Sequence, residues 1–199
     1  MVTAPVSGRV NNWRNHVSSW SYKEGDSIRV SCFTNCKEAE LFLNGMSFGK
    51  KQLLDTIKTI TWKIAYQPGE LSVHGYNNGT EAANYNLKTP GVAYSIMTRT
   101  DNPSFNDNKK KLTHIEIYIV DKNGVPVVNA DNEISLKIEG QAKLSGLESG
   151  NPVSHEDYKS AKRKAYRGRL LAYIQSQQKG TIKITISSPG LQPATTQIQ

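Results

Sequence analysis

The chain has 199 residues, 37% hydrophobic and 21% charged, with an excess of eight positive charges, a size that suits one large or two modest globular domains. It is too short to hold a (β/α)8 barrel of about 250 residues beside anything else. No apolar run approaches the roughly 18 residues needed to cross a bilayer, and the opening MVTAPVSGRVNNW lacks the uninterrupted apolar core of a secretion signal, so an export signal is expected only in a longer parent chain.

Near the start, NNWRNHVSSWSYKEGD supplies Trp13, His16, Trp20 and Tyr22. Exposed rings framed by amides suit the face of a pyranose, which makes these four the carbohydrate-contact candidates. The competing expectation is that Trp20 and Tyr22 plug the end of a sandwich core, and it is the favoured one.

From residue 27 onward the periodicity is two almost everywhere. In DSIRVSCF the residues Ile28, Val30 and Cys32 share a face, and in EAELFLNG the residues Ala39, Leu41 and Leu43 do, the alternation of half-buried strands. Asn44-Gly45 tolerates positive φ at both positions, so ELFLNGMSFGK is expected to be a tight hairpin. TITWKIAY turns Ile60, Trp62 and Ile64 inward. A second hairpin through Gln67-Pro68-Gly69-Glu70 into LSVHGY is expected next, with Leu71 and Val73 inward, followed by a turn at Asn77-Asn78-Gly79. Six or seven short strands in the first 90 residues predict an antiparallel sandwich.

Pro90-Gly91 interrupts this rhythm, and the domain boundary is placed there, giving 1–90 and 91–199. The second half continues with YSIMTR, the polar insert DNPSFNDNKKK, and LTHIEIYIVD with Ile115, Ile117 and Ile119 on one face. A turn at Asp121-Lys122-Asn123-Gly124 precedes EISLKIEG, then RLLAYIQS, TIKITISS and ATTQIQ. With VPVVN before EISLKIEG, seven short extended stretches in this half predict an immunoglobulin-like sandwich. SHEDYKSAKRKA is the one stretch that could form a short helix. The fold class expected is all-β, two tandem immunoglobulin-like antiparallel β-sandwiches.

YKSAKRKAYRGR concentrates the basic excess between Tyr158 and Tyr166. Lys162, Arg163, Lys164 and Arg167 are the candidates for an anionic partner, since basic side chains interleaved with rings can follow a phosphate backbone. A solvated loop feeding an edge strand accounts for the same composition and is preferred, so nucleic acid is not expected as a partner. Cys32 and Cys36 would lie about 13 Å apart on an extended segment, too far for a disulfide unless the chain doubles back, and are expected to be buried or half-buried free thiols. The four histidines are scattered without paired spacing, so no metal site is expected. No GxSxG, HExxH, phosphate loop, GxGxxG or paired CxxC occurs, and no cofactor is implied. Glu148, Glu156 and Asp157 are the acids that a glycosidase pair would draw on, but turn and cap roles are expected of them.

The run SIRVSCFTNCKEAELFLNGMSFGKK, followed by TITWKIAYQPGELSVHGYNNG and LKTPG, resembles the domain that follows the catalytic barrel in family 2 glycoside hydrolases of the β-galactosidase type. The run IEIYIVDKNGVPVVNADNEISLKIEG, then SGNPVSHEDYKSAKRKAYRGRLLAYIQS and SSPGL, is similar to the invasin-like terminal sandwich of the same enzymes. The two resemblances are consecutive and cover the chain from about His16 onward. They imply a non-catalytic C-terminal accessory region of a bacterial, extracytoplasmic (periplasmic or secreted) glycosidase, whose catalytic glutamates lie on a barrel that no part of this sequence matches. No catalytic residue is carried over. The partner implied is the catalytic barrel of the parent chain, against which the region would pack, shaping substrate access or a subunit interface. The alternative expectation is an independent carbohydrate-binding or adhesin-type module with a glycan as partner.

Overall fold

A computed structural model of the chain describes residues 1–6, 17–54, 58–101, 112–178 and 180–198, and these contain strands and turns but no helix. They divide into two compact units, Met1–Thr89 and Pro90–Gln199.

The first unit holds β1 (Val2–Pro5), β2 (Ser27–Phe33), β3 (Glu38–Leu43), β4 (Met46–Gln52), β5 (Thr59–Ala65), β6 (Glu70–Asn77) and β7 (Thr80–Lys88). They form two antiparallel sheets, in the orders β1-β2-β5 and β4-β3-β6-β7. The alternation in the sequence is realised in the burial. Ile28, Val30, Leu41, Ile60, Trp62 and Leu71 are among the side chains that close one core between the sheets. The β3–β4 turn is tight because Asn44 and Gly45 both adopt positive φ, 52° and 81°, the requirement of a type I′ turn.

The hairpin expected between β5 and β6 does not form. β5 pairs with β2, whereas β6 lies between β3 and β7 in the opposite sheet. The segment 66–69 therefore carries the chain from one sheet to the other. Alternation fixes which side chains of a strand point inward, but two strands facing each other across a core show the same alternation as two paired neighbours. The crossover is held by side chains instead: Asn44 Nδ2 donates to Pro68 O at 3.0 Å, Glu70 N donates to Asn44 Oδ1 at 2.9 Å, and Gly69 N donates to Thr89 Oγ1 at 3.1 Å.

The second unit holds β8 (Ser95–Thr100), β9 (Leu112–Val120), β10 (Glu133–Glu139), β11 (Ala142–Glu148), β12 (Lys162–Lys164), β13 (Arg169–Ser176), β14 (Ile182–Ser187) and β15 (Ala194–Ile198). Its antiparallel sheets run β11-β13-β9-β8 and β12-β10-β14-β15. Isoleucines dominate the core between them, with Ile115, Ile117, Ile119, Ile134, Ile184 and Ile186 all fully buried. β11 and β12 are additions to the strands expected from the sequence. The stretch expected to offer a short helix, SHEDYKSAKRKA, instead runs as turns into β12. Asp121, 4% exposed, organises the loop after β9: its carboxylate accepts N–H bonds from Gly91 at 2.7 Å, Asn123 at 2.8 Å and Val125 at 2.9 Å.

Candidate functional site

Of the four sugar-contact candidates, Trp13 and His16 lie outside the described residues. Trp20 is fully buried, its ring 4.9 Å from that of Tyr66 and 6.0 Å from that of Tyr22, with Nε1 donating to Gln67 O at 2.9 Å. A ring with no exposed face cannot stack on a sugar, so Trp20 is corrected from a contact candidate to a core residue. Tyr22 is half-buried, its hydroxyl 2.6 Å from Thr3 Oγ1, and burial pushes its pKa up. The two rings form the plug that was the favoured expectation for this segment.

The basic cluster is also divided. β12 is an edge strand paired with β10, so Lys162 and Lys164 point outward while Arg163 points into the sandwich, 1% exposed. Its Nη1 donates to Leu147 O at 3.1 Å and Glu156 O at 3.2 Å, its Nη2 donates to Ser154 Oγ at 3.3 Å, and the guanidinium lies 4.5 Å from the centre of the Tyr158 ring. Arg163 is therefore corrected from an anion-contact candidate to the internal anchor of the 149–161 segment. A buried guanidinium is tolerated because both terminal nitrogens donate to fixed oxygens and an acid lies nearby; Nε itself has no hydrogen-bond partner, with Glu156 Oε2 3.9 Å away. Arg167 sits at positive φ in the turn before β13, its guanidinium 5.5 Å from the Tyr166 ring. Arg163 thus does not share the outward face of Lys162 and Lys164.

The acids singled out in the sequence serve structure. Glu156 accepts Lys164 N–H at 3.0 Å and the Ser154 hydroxyl at 2.8 Å, and the Lys164 bond is the chief reason its pKa is held below the usual range. Glu148 accepts the Tyr173 hydroxyl at 2.9 Å, and Asp157 Oδ1 accepts Lys159 N–H at 2.9 Å. Cys32 and Cys36 are free and buried, and desolvation pushes the Cys32 thiol up, the opposite of an activated nucleophile. No group of three or more His, Cys, Asp or Glu able to hold a metal occurs among the described residues.

A recess of about 800 Å³ opens in the first unit beside Thr34, Cys36, Lys37, Gln52 and Asn78. Its polar groups are largely engaged with one another: Lys37 N donates to Asn77 Oδ1 at 2.9 Å, Lys37 Nζ to Asn78 Oδ1 at 3.0 Å, and Cys36 N to Thr34 Oγ1 at 3.0 Å. Nothing there pairs a nucleophile with a base.

The outward side of β9 and β13 carries a cluster that the sequence reading passed over. His114 Nδ1 lies 2.5 Å from Asp101 Oδ2, the His114 and Tyr173 rings meet edge to face at 5.1 Å, and Tyr118 donates to Glu116 Oε2 at 2.9 Å. The signal was available in LTHIEIYIVD, where the positions between the isoleucines are His, Glu and Tyr.

Comparison with known proteins agrees with this two-sandwich framework. Residues 96–197 match the family described as glycoside hydrolase family 2 C-terminal domain 5, and residues 25–83 match a domain of unknown function, DUF4982. The chain belongs to the glycoside hydrolase family 2 C-terminal domain family. It is 32% identical over 182 residues to the β-galactosidase BoGH2A of Bacteroides ovatus, covering 90% of this chain and 21% of that protein. The fold superposes with a TM-score of 0.88 at 30% identity on a family 2 member from Bacteroides cellulosilyticus, covering all of this chain and 28% of that one. A β-glycosidase from Bacteroides vulgatus gives 0.87 at 29% identity, over 92% of this chain and 24% of that one. The chain thus spans between 21% and 28% of the length of these relatives and is a C-terminal segment of a family 2 protein.

Proposed function

We propose that this chain is the non-catalytic accessory region of a β-galactosidase-type glycoside hydrolase, a pair of sandwiches that packs on the catalytic domain and shapes its active-site rim or a subunit interface. The observation that supports this most is the coincidence of two facts. The resemblance to BoGH2A extends over nine-tenths of this chain but only a fifth of that enzyme, and the three acids singled out in the sequence, Glu148, Glu156 and Asp157, each accept a structural hydrogen bond. Burial of Trp20 weighs against an independent sugar-binding module.

The test is to assay the isolated chain on nitrophenyl glycosides, then add it to a family 2 enzyme truncated to lack this region. The expected result is no turnover by the chain alone and a raised thermal midpoint of the truncated enzyme on mixing. Turnover abolished by a single change at Glu148, Glu156 or Asp157 would overturn the proposal.

A further inference from the structure

The two outer faces of the second unit differ in a way that burial within the chain does not require. Outward positions on the sheet β12-β10-β14-β15 are Glu133, Ser135, Lys137, Lys183 and Thr185, short or fully hydrated side chains suited to water. Outward positions on the sheet β11-β13-β9-β8 include Met97, Arg99, Leu112, Tyr118, Leu171 and Tyr173, with His114, Glu116, Glu148, Arg169 and Gln175 among them and a single lysine, Lys143, at the corner. Met97 and Leu112 are 42% and 44% exposed. Enrichment in Tyr, Met and Arg with depletion of Lys distinguishes contact surfaces from solvated ones.

We propose that this face is a self-complementary surface that binds the same face of a second copy of the chain, about a two-fold axis lying parallel to the strands between β13 and β9. The strand order and register decide the axis. Glu148, Leu171, Glu116 and Arg99 form one row across the four strands, because Glu148 pairs with Leu171, Leu171 with Glu116, and Glu116 with Arg99. Rotation about the strand-parallel axis sets Glu148 opposite Arg99 of the second copy at both flanks. In the neighbouring rows it sets Arg169 opposite Tyr118 and Tyr173 opposite His114, a cation over a ring and a ring against a ring. Glu116, opposite Leu171, is turned along its own strand by the Tyr118 hydroxyl, toward the row in which Arg169 of the second copy lies. An axis perpendicular to the strands and crossing this row would set Glu148, Glu116 and Arg99 each against its own copy, three like-charge contacts that disfavour that alternative.

Four strands spaced about 4.8 Å apart and about seven residues long present a face of roughly 450 Å², short of the about 800 Å² per partner of a stable interface. The association is therefore weak, of the order that concentration or tethering within a larger polypeptide would complete. It does not depend on the accessory role proposed above.

The experiment is sedimentation equilibrium of the 199-residue chain between about 10 μM and 1 mM, the span in which an interface below standard size shows itself. A reversible dimer is expected across this range. Arg99→Glu and Glu148→Arg should each weaken it at least tenfold and the double exchange should restore it. Lys137→Glu, on the opposite sheet, should leave it unchanged. Because Glu148 accepts a tyrosine hydroxyl, Arg169→Glu at an exposed position serves as a second weakening variant, with near-ultraviolet circular dichroism verifying the fold. A monomer at 1 mM overturns the proposal, as does a double exchange that fails to restore association. Monomeric protein that instead takes up a galacto-oligosaccharide saturably, and loses it in Tyr173→Ala, overturns it in favour of a glycan on the same face.

Discussion

Asn44 and Gly69 stand so close that no side chain fits between them. A Cβ on Gly69 would overlap Asn44 Oδ1 and lie 2.6 Å from its carboxamide carbon, and Gly69 has a φ of 134° that few other residues adopt. The same carboxamide that braces this crossover belongs to the first residue of the β3–β4 turn. Gly69→Ala should therefore destabilise the first unit by about 2 kcal/mol or more. Asn44→Gly keeps the turn backbone but removes two hydrogen bonds, at about 1 kcal/mol each. Denaturant unfolding followed by tryptophan fluorescence reads both, and an unchanged midpoint for Gly69→Ala would refute the overlap.

Asp121→Ala removes the acceptor of three backbone N–H bonds inside the second unit. Bonds to a charged group are worth about 1.5–3 kcal/mol each, but water recovers part of that for the freed N–H groups, so a loss of about 3 kcal/mol in all is expected. Urea unfolding of the variant measures it.

Acid should reveal the same groups. The Gly91 N–H bond to Asp121 and the Lys164 N–H bond to Glu156 hold both carboxyls below their ordinary range. Each therefore contributes stability that is fully present above the unfolded-state value near about pH 4 and is lost as pH falls through the lower folded value. The thermal midpoint should fall more steeply below about pH 4 in the native chain than in Asp121→Asn. Parallel acid limbs for the two proteins would count against this account.

Arg163→Ala leaves the Leu147 and Glu156 carbonyls without their donor and should cost about 3–5 kcal/mol, with faster amide exchange across 149–161. Lys162→Ala and Lys164→Ala, at outward positions of the same strand, should stay within about 0.5 kcal/mol. Equal costs at all three positions would contradict the inward placement of Arg163.

Both cysteines should resist a water-soluble thiol reagent in the native state and react together on unfolding, because both are buried. Rapid native labelling of either would show that the first core is open.

Strand identity was legible wherever alternation ran unbroken, as in SIRVSCF, ELFLNG and LTHIEIYIV, because period two directly encodes a half-buried strand. Pairing was legible only where a turn dictated it, as at Asn44-Gly45: β5 and β6 carry the same alternation whether they are neighbours or face each other across a core. β11 escaped because a register shift between Leu144 and Gly146 breaks its period. β12 escaped because it consists of three charged residues. For the same reason the sequence could not distinguish Arg163 from the exposed lysines flanking it. Only the register with β10, which sets Arg163 opposite the fully buried Ile134, assigns it inward.

An edge strand ordinarily offers its free amides and carbonyls to any passing extended segment. β12 is three residues long, carries two lysines outward, and directs a guanidinium into the sandwich. A newcomer docking alongside would have to accommodate that charge or displace it from its carbonyls, so this border of the sheet is protected against runaway fibril growth.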